Sequence, residues 1–161
     1  MSLLVVAAIE AEAAHVPRSV PLVITGIGKT AAAVAVTKAL VEHPDRATLQ
    51  VVNIGTAGAL RDGLEGLHEV GHVLNHDLSA DAIRALGFDP QEEISLGGGH
   101  RVHLASGDLF VSDPSVRSRL AERAHLVDME GYAIAYACRA MGVPLRMVKH
   151  VSDNADETAH D

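Results

Sequence analysis

Acidic side chains follow three of the apolar runs in this sequence. Glu12 comes shortly after residues 2–9, Glu130 directly follows the mainly apolar residues 126–129, and Asp153 follows residues 145–151. Such runs predict buried strands, and α/β proteins carry functional side chains at the carboxyl ends of their strands. The three carboxylates are therefore candidates for proton transfer, although Glu12 could equally be a solvated acid at a helix start.

The glycine-containing loop at residues 25–30 imitates two nucleotide-binding motifs and completes neither. Its Gly-Lys-Thr end matches a P-loop, but Val23 stands where that motif needs its first glycine. Its Gly-x-Gly pattern also imitates a dinucleotide fingerprint, but Pro44, beside the candidate acid Asp45, begins a loop where a strand is needed. We therefore expect no nucleotide cofactor. The glycines here are expected to let backbone approach a ligand or a neighbouring element closely. The small residues at 53–59 follow a predicted strand, where they could leave backbone N–H groups open to a ligand or form a simple tight turn.

The zinc-protease pattern HExxH begins at His68 and ends at His72. That chemistry needs a helix with both histidines on one face and a third ligand, and His76 is not at the expected spacing for one. The surrounding apolar residues favour a strand, on which the two histidines would stand too far apart to hold one ion. We expect no metal site here, nor at His100 or His103.

Phe110 is one of only four aromatic side chains, and it lies just past a predicted strand at residues 101–105. Its ring could pack in the core or stack on a flat ligand, and its position alone leaves both possibilities open.

Composition limits the classes of protein to which this chain can belong. Its 161 residues suit one domain, and a hydrophobic content of 48% with only 2% aromatic residues predicts a core of Ala, Val, Leu and Ile. The net charge of -8 argues against nucleic acid as a partner. A single cysteine, Cys138, excludes a disulfide framework and favours a cytoplasmic location. The apolar residues 3–9 are too short for a membrane span.

Strand and helix patterns alternate along the chain. Apolar runs predict strands at residues 2–9, 21–24, 48–54, 68–74, 101–105, 126–129 and 145–151. Helical patterns are present at residues 31–42, 81–86, 116–124 and 133–141, and the polar residues 91–99 are expected to form a loop. This order predicts one layered α/β domain over residues 1–161 with a mostly parallel sheet.

Several stretches together resemble the nucleoside phosphorylase and nucleosidase superfamily, and within it the methylthioadenosine/S-adenosylhomocysteine nucleosidases most of all. The matching stretches occur in the family's order and span nearly the whole chain: residues 8–12, 25–29, 53–58, 105–111, 127–130 and 151–156. The resemblance implies a three-layer αβα fold with a central, mostly parallel (mixed) sheet of the phosphorylase/hydrolase-like kind. It also implies hydrolysis of the N-ribosidic bond of a purine nucleoside, without a cofactor.

The same resemblance implies a role for each acid. Asp153 would protonate N7 of the purine, Glu12 would orient and deprotonate the attacking water, and Glu130 would accept hydrogen bonds from the ribose 2′- and 3′-hydroxyls. This division suits the reaction, because the departing purine needs a proton and the oxocarbenium-like sugar needs water and a nearby negative charge.

Further substrate-binding residues follow from the resemblance. Phe110 would stack on the base, the backbone of Val111 would read its edge, and Met129 would pack under the sugar. Thr56, Gly58 and Ser152 are also expected among the substrate-binding residues.

Phosphate is the alternative nucleophile. Phosphorylases of the superfamily hold it with arginines in the first glycine loop and before the second one, but here Ile27 and Lys29 occupy the first region, and Asn53 and Ile54 precede Gly55. Water is therefore expected, with a phosphate-dependent phosphorylase as an alternative. A nucleosidase for another 5′-modified nucleoside, such as futalosine, is a second alternative, a non-catalytic nucleoside-binding protein a third, and a zinc peptidase the outlier.

The sequence departs from the family's pattern in three places. Only residues 13–20 separate the first acid from the glycine loop, where the family has a hairpin, and Asp128 replaces the first glutamate of Glu-Met-Glu. The given sequence stops at Asp161, where members of the family continue into a final helix, so this helix is expected either to be absent or to lie beyond the given residues. The resemblance also implies a homodimer whose second subunit closes the 5′ end of the site.

Overall fold

The apolar runs form one eight-stranded mixed sheet in a computed structural model that describes residues 1–98 and 101–159. His100 lies outside the described residues. The strands are β1 (Ser2–Ala7), β2 (Leu22–Ile24), β3 (Leu49–Ala59), β4 (Leu67–Asn75), β5 (Glu93–Ser95), β6 (Val102–Ser106), β7 (Leu126–Asp128) and β8 (Leu145–Asp153). The helices are α1 (Lys29–Glu42), α2 (Ala80–Ala85), α3 (Pro114–Ala121) and α4 (Gly131–Ala140), with short 3-10 turns at Glu10–Ala13 and Arg46–Thr48.

The strand order is β2-β1-β3-β7-β6-β4-β5, and β8 pairs with both β3 and β4. The pairs β1/β2, β1/β3, β3/β8, β4/β6 and β6/β7 are parallel, whereas β3/β7, β4/β5 and β4/β8 are antiparallel. The predicted mostly parallel, mixed sheet is therefore confirmed. Because β8 bridges β3 and β4, the pairings run in a closed circuit through β3, β8, β4, β6 and β7, which brings the ends of distant strands together.

Helices cover both faces of the sheet. On one face, α1 and α4 pack on β1 and β3, with Val36 and Ile134 fully buried against Val6. On the other face, Leu120 of α3 packs against Ala105 of β6. Neighbouring residues of a strand point to opposite faces, so Leu104 joins the α4 side while Ala105 joins the α3 side. Small and aliphatic side chains allow this close layering and give the predicted three-layer αβα arrangement.

Two predictions about the elements need correction. Residues 91–99 were expected to form a loop, but Glu93–Ser95 forms β5 and pairs antiparallel with β4. Its one buried side chain, Ile94, gives no periodicity from which a strand could be predicted. β3 also continues to Ala59, five residues beyond the predicted end of the strand at residue 54.

The HExxH segment lies in β4, as its apolar pattern predicted. Residues four apart on a strand are about 13 Å apart along the chain, too far to hold one ion between them. Glu69 instead accepts from Arg146 Nε at 3.0 Å and pairs with Arg101, and His72 Nε2 lies 3.4 Å from Glu93 Oε1. Within residues 1–98 and 101–159, no cluster of three or more His, Cys, Asp or Glu side chains could hold a metal ion.

Candidate active site

The ends of five strands surround a cavity of about 200 Å³. Segments that follow β1 and β6, together with the last residues of β3, β7 and β8, form its wall. Every residue expected from sequence to act in catalysis or substrate binding lines this cavity: Glu12, Thr56, Gly58, Phe110, Val111, Met129, Glu130, Ser152 and Asp153. The structure therefore brings together residues from all parts of the sequence at one site.

Glu12 lies between the end of β1 and the end of β3. Its Oε2 accepts from Ala8 N at 3.1 Å, and its Oε1 accepts from Thr56 N at 3.3 Å and from Thr56 Oγ1 at 3.0 Å. A Cβ on residue 55 would lie 3.0 Å from Lys149 Nζ and in ordinary contact with Glu12 Oε2 at 3.4 Å, so Gly55 leaves space chiefly for the lysine. The three donors fix one orientation of Glu12 at the cavity wall without the hairpin of the family's pattern.

Glu130 is buried and has the most strongly shifted carboxyl pKa of the site. Burial raises its pKa to about 7; the Gly28 N–H, which donates to Oε2 at 2.8 Å, opposes that shift, as does Lys149. The carboxylates of Asp128 and Glu12 push the pKa further upward. Near neutral pH this group can therefore exist in either protonation state.

Lys149 is a buried charged residue next to the cavity and was not among the residues expected from sequence. Its side chain is 2% exposed and its Nζ lies 3.1 Å from Asp128 Oδ2, in a fully buried ion pair behind the cavity. Gly131 N also donates to Asp128 Oδ2 at 2.9 Å, while Asp128 Oδ1 is buried without a hydrogen-bond partner. The position of Lys149 in the apolar run of β8 could have indicated its role in an ion pair. A lysine in a buried strand is itself buried, and a buried ammonium requires a charged partner.

Asp153 ends β8 at the cavity. Ser152 Oγ donates to its Oδ2 at 2.8 Å, and Ala155 N donates to its Oδ1 at 2.8 Å. A Cβ on residue 58 would lie 2.8 Å from Asp153 Oδ1, closer than such atoms approach, so only glycine at 58 leaves this carboxylate in its position.

The remaining wall is apolar. Phe110 is 47% exposed, so its ring is not a core residue, and it borders the cavity beside Val111, which is 5% exposed. Met129 lies between the buried acids Asp128 and Glu130. A flat apolar group could contact this side of the cavity while polar groups face the acids.

The ionisable side chains that line the cavity are acidic. Four carboxylates line it, those of Glu12, Asp128, Glu130 and Asp153, and no Lys or Arg among the described residues does. Such a wall suits a ligand with hydroxyl donors and a centre that becomes positively charged, and it disfavours a phosphate anion.

Comparisons with known proteins agree with this arrangement. A family profile described as "Phosphorylase superfamily" matches residues 98–161. The chain is 29% identical over 134 residues to the aminodeoxyfutalosine nucleosidase of Helicobacter pylori. The matched region covers 69% of this chain and 58% of the relative. It is 28% identical over 159 residues to the 5′-methylthioadenosine/S-adenosylhomocysteine nucleosidase of Shewanella halifaxensis. That matched region covers 82% of this chain and 67% of the relative. The chain thus spans little more than half the length of the Helicobacter pylori relative.

Solved structures share the fold. A mutant of the Helicobacter pylori nucleosidase with 5′-methylthioadenosine in its active site matches with a TM-score of 0.83 and 23% identity, over 99% of this chain and 88% of that one. The Streptococcus pneumoniae nucleosidase with a transition-state inhibitor matches with a TM-score of 0.80 and 23% identity, over 99% and 89% of the two chains. Sheet, helices, profile and relatives agree, and the chain is similar to members of the nucleoside phosphorylase and nucleosidase superfamily.

Proposed function

We propose that the protein hydrolyses the N-ribosidic bond of a purine nucleoside. The observation that carries the proposal is that Glu12, Glu130 and Asp153 border one cavity together with the exposed ring of Phe110. This set offers a proton donor, a base for water and an acceptor for sugar hydroxyls. The relatives named above are nucleosidases, which supports the same chemistry.

In the proposed reaction, the bond from C1′ to the purine breaks and its electrons move to the ring. Asp153 supplies the proton that N7 of the leaving purine takes up. Water attacks C1′ and gives a proton to Glu12, whose orientation is set by Ala8 N and Thr56. The products are the free base and the ribose derivative.

Glu130 accepts the ribose 2′- and 3′-hydroxyl hydrogens in this proposal. Its negative charge also stabilises the positive charge that develops on the sugar in the transition state. Phe110 stacks on the base, with the Val111 backbone at its edge, while Met129, Thr56, Gly58 and Ser152 contact the rest of the nucleoside.

The proposed substrates are 5′-methylthioadenosine and S-adenosylhomocysteine. A 5′-modified nucleoside of the futalosine kind is the second candidate, because the relative from Helicobacter pylori is an aminodeoxyfutalosine nucleosidase. Water rather than phosphate is the proposed nucleophile, because the cavity wall described above carries carboxylates and no cation.

The test is release of free base from methylthioadenosine, adenosylhomocysteine, inosine and futalosine, with and without phosphate. Asp153→Asn and Glu12→Gln should each lower kcat by about 10²–10⁴-fold, because each removes one proton-transfer group. Glu10→Gln is the matched control, since Glu10 is exposed and two residues from Glu12. Turnover of Asp153→Asn at the wild-type rate would show that another group is the acid.

We further propose that the protein acts as a cytoplasmic homodimer. A groove of about 480 Å³ between α1 and α4 supports the proposed dimer. Its lining is mainly apolar and includes Ala33, Tyr136 and Ala140, so a second subunit that covers it would bury apolar surface. Cys138 is buried and not in a disulfide, which suits a reducing compartment. No helix among the described residues is long and apolar enough to cross a membrane.

A further inference from the structure

A polar cluster outside the cavity joins three segments that are distant in sequence. We call it the loop clamp and define it as Lys29, Asp77 and Asp108. Lys29 Nζ donates to Asp77 Oδ1 at 2.5 Å and to Asn75 Oδ1 at 2.6 Å. Lys29 N donates to Asp108 Oδ1 at 2.8 Å, and Asp108 N donates to Asp77 Oδ2 at 2.7 Å. Each carboxylate therefore holds one backbone N–H of another segment.

The Lys29–Asp77 pair of the clamp is partly shielded from solvent, whereas Asp108 is exposed. The side chains of Lys29 and Asp77 are 20% and 27% exposed. Burial raises the pKa of Asp77, but the Lys29 ammonium and the Asp108 N–H outweigh it and hold that pKa below its ordinary value. Charge-assisted hydrogen bonds in such a setting are stronger than solvated ones.

Two glycines make room for the clamp. A Cβ on residue 107 would lie 2.8 Å from Asp77 Cγ and 2.6 Å from His76 Nε2, so a side chain there would push the 76–77 turn away. A Cβ on residue 28 would lie 3.2 Å from Asp108 Oδ1, and Gly28 has a φ of +98° that favours glycine. The Gly-x-Gly loop thus allows close approach to a neighbouring segment, which is one of the two uses expected for its glycines.

The clamp is connected to the cavity on both sides. Asp108 lies two residues before Phe110 and three before Val111, which both line the cavity. Gly28, next to Lys29, donates its N–H to Glu130 Oε2 at 2.8 Å. Movement of the clamp would therefore displace both the proposed base-stacking ring and the donor that orients the proposed sugar-binding acid.

We propose that Lys29 and Asp77 are positioning residues that hold the 107–111 loop and the Gly28 N–H in the geometry that nucleoside binding requires. The inference rests on the proposed function. Lys29 is thereby assigned a role other than phosphate binding, because its ammonium is already bound to Asp77 and Asn75 outside the cavity wall.

The experiment measures KM and kcat for base release from methylthioadenosine with Lys29→Met and Asp77→Asn. Loss of a charged hydrogen bond that orders the binding loop should raise KM about tenfold or more in each, with kcat within about threefold of wild type. Lys29→Arg, which keeps the charge, should restore KM most of the way. Asp81→Asn, an exposed acid four residues from Asp77, is the control and should leave KM unchanged.

Melting temperatures of all variants separate positioning from general stability. If Lys29→Met and Asp77→Asn lower the melting temperature but leave KM at the wild-type value, the clamp is only structural and the inference is overturned. If wild-type turnover requires phosphate and Lys29→Met abolishes that requirement, Lys29 is a phosphate ligand and the inference is again overturned. If the wild type releases no base from any nucleoside tested, the proposed function fails and the inference falls with it.

Discussion

Ionisation of the buried Glu130 carboxyl group has opposite effects, because it favours nucleoside binding and destabilises the fold. Its proposed role needs the carboxylate form, because only that form accepts hydrogen bonds from both ribose hydroxyls. With a pKa of about 7, the group becomes protonated as the pH falls through neutrality, so KM should rise below about pH 7. The folded protein also holds this proton more tightly than the unfolded chain does, so ionisation of Glu130 destabilises the fold.

The stability of Glu130→Gln should therefore depend on pH relative to wild type. The pKa of Glu130 is about 7 in the folded protein and has an ordinary value of 4.5. The wild type therefore loses stability as the pH rises from about 4.5 to about 7. The full loss above pH 7 is at most about 3 kcal/mol. Relative to wild type, the variant should gain about 1–3 kcal/mol in unfolding free energy between pH 4 and pH 8, measured by denaturant titration. An equal difference between the two proteins at both pH values would contradict the assignment, and Glu10→Gln should show no such trend.

The site residues differ in how far sequence could reveal them. Glu12, Glu130 and Asp153 each follow an apolar run, so local pattern was enough to select them, and the family resemblance supplied the rest of the cavity wall. Lys149 lies within an apolar run and not after one, and the loop clamp has no local pattern, so neither could be selected in this way. The clamp's partners are between 31 and 79 residues apart, and only the tertiary fold brings them together.

At the level of elements, strands with several buried side chains were predictable and strands with one were not. β1 has four consecutive buried residues, whereas β5 has a single buried isoleucine between two exposed polar residues. β5 is held by its pairing with β4, which no local pattern contains. The extension of β3 was missed for a related reason, because the small residues that end it also suit a turn and are held in the strand by β7 and β8.

Gly131 sets how closely α4 approaches β6. Helix propensity alone would favour alanine here by up to about 1 kcal/mol. A Cβ on residue 131, however, would lie 2.6 Å from Leu104 Cδ2 and 3.1 Å from Asp128 Oδ2, and Leu104 is fully buried. Gly131→Ala should therefore lower the unfolding free energy by about 1–3 kcal/mol, because neither neighbour can move easily.

A double-mutant cycle checks the cause of that loss. Leu104→Val removes the atom that the new Cβ would meet, so Gly131→Ala should cost less in the Leu104→Val background than in wild type. An equal cost in both backgrounds, measured by denaturant unfolding, would place the strain elsewhere.

For the whole molecule, the charge distribution agrees with the proposed choice of nucleophile. The chain carries a net charge of -8, and the cavity itself is lined by four carboxylates. Both features repel a phosphate dianion and admit a neutral nucleoside and water. Composition alone gave the first feature; the second required the fold, which collects four acids from the ends of three strands.

The proposed dimer can be tested through an exposed apolar stripe on α1, the helix that also forms one side of the groove described above. Val34 and Val41 lie one heptad apart on α1 and are 64% and 60% exposed, and Ile27, 65% exposed, lies just before this helix in the cavity wall. A subunit that covers this stripe would bury apolar surface and reach the mouth of the cavity. Val34→Asp should therefore convert the protein from dimer to monomer in light scattering after size exclusion, and raise KM with it.

Leu86→Asp is the matched control, because Leu86 is 74% exposed but follows α2 and is not part of α1. It should leave both the mass and KM unchanged. A wild-type protein that is monomeric at all concentrations, or a Val34→Asp variant that keeps the dimer mass, would contradict this interface. A monomer with wild-type KM would show that the second subunit does not complete the cavity, since burial of Ile27 at the interface is the only link proposed between assembly and binding.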